Sequence, residues 1–200
     1  QRQMCIRDRE EDRQACKQKI YDFNQLPPSR QSKEAPQMIK NIFGKTGENV
    51  WVEAPFHCDY GWNIEVGENF YSNYNLTILD VGKVTCGKNV QIAPNVSIYT
   101  AGHPVHPDSR NSGYEYGIPV TVGDNVWIGG NTVILPGVTV GSNVVIGAGS
   151  VVSKDIPDNT IAAGNPCKVI REITDEDRIY YFKKQKFDDE AWEEVKNKNK

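Results

Sequence analysis

Between Val122 and Ser153 the chain repeats itself every six residues. Val122-Gly123, Ile128-Gly129, Ile134-Leu135, Val140-Gly141, Ile146-Gly147 and Val152-Ser153 open successive hexads. The first position is β-branched and aliphatic each time, and Gly follows it in four of the six. The frame recurs upstream at Val66-Gly67, Ser72 and Ile78. It slips by two residues and resumes at Cys86-Gly87, Ile92-Ala93 and Ile98. A second series, offset by four, runs Val126, Thr132, Val138, Val144 and Ser150. A period of six fits neither the 3.6-residue turn of a helix nor the plain alternation of a strand. It fits a coil of three short flat strands, each sending one aliphatic side chain inward. Gly and Asn in Gly123-Asp124-Asn125, Gly129-Gly130-Asn131 and Gly141-Ser142-Asn143 are expected to supply the turn dihedrals. One hexad cannot bury its face alone, so coils must stack, ~4.8 Å apart, into a solenoid. The inward positions carry no Pro and no charge. This favours a mainly β parallel β-helix over a β-sandwich.

The rest of the chain is read around that coil. Residues 1–9 resemble nothing that follows and are set aside as a candidate non-native segment. Residues 10–60 read as an N-terminal helical region on the substrate side. A helix is expected from Glu10 to Leu26, with Ala15, Ile20 and Phe23 as its stripe and Pro27-Pro28 as its stop. A second is expected from Ser32 to Phe43, with Met38, Ile39, Ile42 and Phe43 as its apolar side and Gly44 as its cap. The β-helix is expected over 61–171, interrupted by a loop at 102–119, with a charged tail at 172–200.

Composition narrows the function classes. The 200 residues carry 23 Lys and Arg against 26 Asp and Glu, which is not the basic footprint of a nucleic-acid binder. No apolar run approaches the ~18 residues of a membrane span, and no secretory leader is expected. The five cysteines, Cys5, Cys16, Cys58, Cys86 and Cys167, are scattered, with no CxxC pair. They are expected to be reduced thiols of a cytoplasmic protein. Histidine occurs three times, at 57, 103 and 106.

One of these sits where the repeat breaks. The residues of 102–119 fit no hexad, and a loop thrown out of a rigid solenoid is a natural place for function. It opens Gly102-His103-Pro104-Val105-His106-Pro107, with two prolines restricting the backbone. An imidazole, with an unperturbed pKa near ~6.5, suits the removal of a proton from a hydroxyl as it attacks. The same residue could equally be a loop histidine satisfied by backbone groups. His106 reads as a buttress of the loop and His57 as structural or surface.

The stretch 66–166 resembles the hexapeptide-repeat acyltransferases. The likeness narrows at NFYSNYNLTILD (69–80), APNVSIYTAGHPVHPDSRNSG (93–113), PVTVGDNVWIGGNTVILPGVTVG (119–141), IGAGSVVSKDIPDN (146–159) and AAGNPCKVIREI (162–173). These look like the galactoside and maltose O-acetyltransferase group. GENVWVEAPFHCDYGWNIEVGENF (47–70) continues the match, and the tail IREITDEDRIYYFKK (170–184) is closer to the galactoside type. The resemblance runs from about Ile20 to Lys184. It implies a left-handed coil, against the usual right-handed crossover.

The resemblance also implies roles. His103 falls where the group has its catalytic base, and Asn73 where it has an Asn that contacts substrate. Asp59, Asp80 and Glu115 fall at acceptor-binding positions. Asp59 and Glu115 differ in type from the galactoside pattern, and Asp80-Val81 stands where one subgroup has consecutive acids. A further acidic contact of that subgroup would fall near Met4. Acetyl-CoA is the implied co-substrate. Backbone groups at Gly130 and Ala148 would meet its pantetheine arm and thioester, and Ser153, Lys154, Lys168 and Arg171 its phosphates. Lys168 stands where an Arg is common. Trp127 would face outward near that groove. No metal is expected. A homotrimer with sites between subunits is implied, with no nucleic-acid or membrane partner.

The reading is an acetyl-CoA-dependent O-acetyltransferase acting on a sugar hydroxyl by direct transfer. The alternatives are an antibiotic O-acetyltransferase of the same fold, and a non-catalytic scaffold, which the intact His103 loop disfavours. A β-helical carbonic anhydrase would need three His zinc ligands, and the spacing of His57, His103 and His106 does not follow that pattern.

Overall fold

The computed structural model describes residues 6–198. Its centre is a three-faced prism of parallel strands. The first face stacks Val50–Val52, Phe70–Ser72, Gln91–Ile92, Trp127–Ile128, Val145–Ile146 and Thr160–Ala163, and ends on Lys168–Glu172. The second stacks Phe56–Cys58, Leu76–Leu79, Ser97–Tyr99, Val133–Ile134 and Val151–Val152. The third stacks Ile64–Val66, Val84–Cys86, Val120–Val122 and Thr139–Val140, and Ile156 bridges to Val140. Every pairing among these strands is parallel except the last, where Lys168–Glu172 turns back antiparallel on Thr160–Ala163.

The inward hexad positions form continuous ladders. Ile92, Ile128, Ile146 and Ala162 stack in register, as do Ile78, Ile98, Ile134 and Val152. All are buried, and the second series from Val126 to Ser150 is buried with them. Each fully buried Ile or Val contributes about 1.5–3 kcal/mol, so the repeated position is what holds the prism together. The frame reaches further toward the N-terminus than the hexads at 66 suggest. Val52 pairs with Ser72 and Cys58 with Ile78, so the coil begins at Val50, inside the region read as N-terminal. The two-residue slip occurs in both early coils, at 59–63 and at 79–83, where the second face turns into the third.

Gly and Asn share the left-handed turn dihedrals: Gly137 and Gly149 have positive φ, and so do Asn69, Asn89, Asn125, Asn143 and Asn159, the five Asn between 55° and 57°. The hexad Gly at 123 has no such φ. A Cβ there would lie 2.8 Å from the Gly141 carbonyl carbon of the next coil, so Gly is required for close stacking. The Asn side chains then stack along the corner between the third and first faces. Asn69 donates to Asn89, Asn89 to Asn125, Asn125 to Asn143 and Asn143 to Asn159, at 2.8–2.9 Å.

Two helices close the N-terminal end of the prism. α1 (Ile6–Asn24) buries Cys16, Ile20 and Phe23, whereas Ala15 is exposed. Spacings of four and three place Cys16, not Ala15, on that stripe. α2 (Pro28–Ile42) begins on Pro28, which fits a first-turn position because the missing N–H has no partner there. It buries Ala35, Ile39 and Ile42. Gly44 is not its cap. The helix ends on Phe43 in extended conformation, and Gly44 N–H donates to the Ile64 carbonyl. A Cβ at Gly44 would lie 2.1 Å from the Trp62 carbonyl oxygen, so this glycine serves a close approach of two backbones. The Phe43 and Phe56 rings meet edge to face at 5.5 Å, joining the helices to the core. The chain continues through a 3-10 turn (Asp175–Ile179) and the hairpin Tyr180–Phe182 with Gln185–Lys186. A last helix spans Asp189–Lys198.

Candidate active site

The 102–119 excursion leaves the prism between the second and third faces and is closed at its neck. Ala101–Gly102 pairs antiparallel with Tyr116–Gly117. The Tyr116 ring lies so close over Gly102 that a Cβ there would sit 2.5 Å from its hydroxyl. Inside the loop, Pro107–Asn111 forms one short helix. His106 caps it, its Nδ1 accepting from Asp108 N–H at 3.2 Å. Arg110 Nη1 donates to the Val105 carbonyl at 2.8 Å. His106 therefore buttresses the loop.

His103 is exposed, and its Nδ1 lies 3.2 Å from the Tyr114 carbonyl oxygen. A carbonyl can only accept, so Nδ1 carries the hydrogen, and in the neutral ring Nε2 keeps the lone pair. A backbone group thus assigns the tautomer and holds the ring. That is the arrangement a general base requires.

Asp59 and Asp80 share one corner of the prism with this loop, but in different environments. Asp59 is half-buried and pairs with Arg13 of α1, Oδ1 to Nη2 at 3.2 Å. The Arg13 guanidinium lies over the Tyr60 ring, 5.5 Å from its centre. Arg13 escaped the sequence reading because nothing in a polar helix marks which Arg the fold brings to a corner. Asp80 is fully buried. Its Oδ1 accepts from Asp59 N–H at 2.8 Å and Tyr60 N–H at 2.9 Å. Burial pushes its carboxyl above the usual range, against the backbone N–H groups that favour the charge. In the single chain this carboxylate has no exposed surface, and it shapes the turn that carries Asp59. Glu115 is exposed in the excursion.

Asn73 stands at a different corner, between the first and second faces. Its backbone N–H donates to the Ile92 carbonyl, and its Oδ1 accepts from Tyr74 N–H at 2.8 Å. The amide NH₂ is left to donate. Gly130 and Ala148 lie on later coils of the same corner, and the Gly130 carbonyl accepts from Gly149 N–H. Ser153 and Lys154 are exposed where the second face turns to the third, the corner of the excursion. Lys168 and Arg171 are exposed on the terminal strand of the first face. Arg171 is held by Asp177 through two bonds of 2.6 and 2.7 Å, which keep that carboxyl down at about 2. Trp127 projects outward and is exposed. One chain therefore brings His103, Asp59, Glu115, Ser153 and Lys154 to one corner, and Asn73, Gly130 and Ala148 to another. A concavity of about 360 Å³ lined by Glu48, Trp51 and Tyr71, on the first face, contains none of these residues.

Among the described residues no group of three or more His, Cys, Asp or Glu side chains could hold a metal ion. No described helix is long and apolar enough to cross a membrane.

A prism of coiled hexads with a histidine loop at one corner defines a hexapeptide-repeat transferase. The sequence comparisons agree. Residues 119–154 match the family model for bacterial transferase hexapeptides, and residues 8–47 match the maltose acetyltransferase hexapeptide capping motif. The galactoside O-acetyltransferase of Escherichia coli is 54% identical over 167 residues, 84% of this chain and 82% of that one. The galactoside O-acetyltransferase of Lactococcus lactis is 41% identical over 170 residues, covering 84% and 82%. A galactoside acetyltransferase solved in complex with coenzyme A superposes with a TM-score of 0.89 at 52% identity, over 94% of this chain and 92% of that one. A maltose O-acetyltransferase from Clostridium difficile gives 0.81 at 52% identity, over 84% and 89%. The chain belongs to the galactoside and maltose O-acetyltransferase family of hexapeptide-repeat enzymes. It is an acetyl-CoA-dependent O-acetyltransferase built on a left-handed β-helix.

Proposed function

We propose that the acceptor is a hydroxyl of a galactoside, maltose or glucose-type sugar, and that His103 Nε2 is the general base. The bond from His103 Nδ1 to the Tyr114 carbonyl carries this reading, because in the neutral ring it leaves the lone pair on Nε2 and holds the ring in place. His103 takes the hydroxyl proton as the oxygen attacks the thioester carbonyl. The C–S bond then breaks, and His103 returns the proton to the departing thiolate. The Asn73 NH₂ and nearby backbone N–H groups stabilise the oxyanion between these steps. Asp59 and Glu115 hold acceptor hydroxyls. Gly130 and Ala148 line the pantetheine arm, where small residues permit close approach. Ser153, Lys154 and Lys168 face the phosphates, with Arg171 joining them if it leaves Asp177.

The two corners supply complementary halves of this chemistry. That supports a homotrimer in which His103 of one chain works with Asn73 of the next, so that each acceptor and donor meet between copies.

The test is the His103→Ala enzyme, followed by thiol release and by calorimetric titration with acetyl-CoA. Turnover is expected to fall by about 10²–10⁴, with acetyl-CoA affinity essentially unchanged. Turnover close to wild type would remove His103 from the reaction.

A further inference from the structure

Helix α1 docks on the strand Phe56–Cys58 and its following turn through three side chains in antiparallel alignment. Asn24 donates to the Phe56 carbonyl and accepts from Phe56 N–H, both at 2.9 Å. Two turns back along the helix, Cys16 Sγ lies 3.7 Å from Cys58 Sγ. One turn further back, Arg13 pairs with Asp59. Cys16 is buried, and Cys58 is half-buried, which leaves the pair open to a small reagent. Neither thiol has a part in acetyl transfer.

We infer that Cys16 and Cys58 are a site of reversible oxidation, forming a disulfide that fastens the N-terminal helix to the first coil. An S–S bond is ~2.05 Å long, so the sulfurs approach by under about 2 Å. The thiols also share a proton unequally. The hydrogen bond with Cys58 holds Cys16 below the usual thiol range, and the same bond, with burial, holds Cys58 above it. Cys58 is the more exposed of the two residues.

The oxidant is a hydroperoxide. One of the two sulfurs attacks its terminal oxygen as the thiolate, an S–O bond forms, the O–O bond breaks, and the departing oxygen takes a proton and leaves as alcohol or water. The other sulfur then displaces the hydroxyl of the sulfenic acid. The S–S bond forms, the S–O bond breaks, and the second thiol's proton leaves in water. Two thiols lose two electrons and one peroxide bond gains them.

The experiment treats the wild-type protein with hydrogen peroxide, alkylates the remaining thiols after unfolding, and maps the peptides by mass spectrometry. The expected product is a Cys16–Cys58 cross-linked peptide, two hydrogens lighter than its parts and lost on treatment with dithiothreitol. Cys86 and Cys167 remain alkylatable. The oxidised protein should unfold roughly 5 °C or more above the reduced one, a rise absent in Cys58→Ser. Full alkylation of Cys16 and Cys58 after peroxide, pairing of either with Cys5 (which lies outside the described residues), or an unchanged Tm would overturn the inference.

Discussion

Asp80 shows how a buried carboxylate sets a pH dependence. Burial raises its folded pKa above the ordinary carboxylate value, so the folded state binds the proton more tightly than the unfolded chain. Its contribution to stability is full below the ordinary value and is lost as pH rises through the raised one. Asp80→Asn keeps an oxygen for the Asp59 and Tyr60 N–H groups and removes the charge. Denaturant unfolding across that window should show the variant losing less stability than wild type as pH rises. Asp80→Ala leaves both N–H groups without their acceptor and should cost about 1–3 kcal/mol at any pH. Equal pH profiles for wild type and Asp80→Asn would contradict the burial argument. The residue was legible as special, because it sits at the slip in the hexad frame. Its burial was not, because spacing records where a side chain falls along the chain and not what covers it. The same gap hid Arg13, whose partner lies 46 positions away. His103 was legible as a candidate base, but the tautomer of its neutral ring depends on the Tyr114 carbonyl, a backbone group no sequence motif displays.

The asparagine ladder is the element-scale counterpart. Five Asn residues at one corner adopt left-handed φ and pass hydrogen bonds from coil to coil. Asn125→Gly keeps the dihedral and loses two ladder bonds. Asn125→Ala loses the bonds and adds the ~1–2 kcal/mol strain of a Cβ in that region. Chemical denaturation should find the Ala variant about 1 kcal/mol less stable than the Gly variant, and the reverse order would contradict the left-handed strain at this position. In the ladders, Ile134→Ala should cost about 2–5 kcal/mol, because the adjoining Ile98 and Val152 cannot close the cavity without shifting their own coils. These elements were legible because a solenoid is nearly one-dimensional, and each inward residue is buried by its neighbours on adjacent coils. The excursion was legible as an interruption that carries a candidate base and a buttress, but not in its internal structure. Its short helix and its neck at Gly102 and Tyr116 follow from contacts within the loop that carry no period.

Across the whole molecule, the prism separates the two residues proposed for the chemistry: His103 lies beyond the second face and Asn73 beyond the first, so a proposed site that joins them would join two chains. Mixed assemblies of His103→Ala and Asn73→Ala chains, refolded together, should regain activity that neither parent has. No recovery would place each site within a single chain. The fold class followed directly from the repeat. The arrangement of corners did not, because it requires knowing which face each hexad joins, and the early coils and the excursion shift that assignment.

Transfer from acetyl-CoA to a sugar hydroxyl is tested by the initial rate of CoA thiol release with galactosides, glucosides, maltose and hydroxylated antibiotics as acceptors, with mass analysis of each product. Saturable release is expected with at least one of the sugars, with a product carrying one added acetyl group on oxygen. Release with an antibiotic and none of the sugars would contradict it and assign the acceptor corner to a xenobiotic.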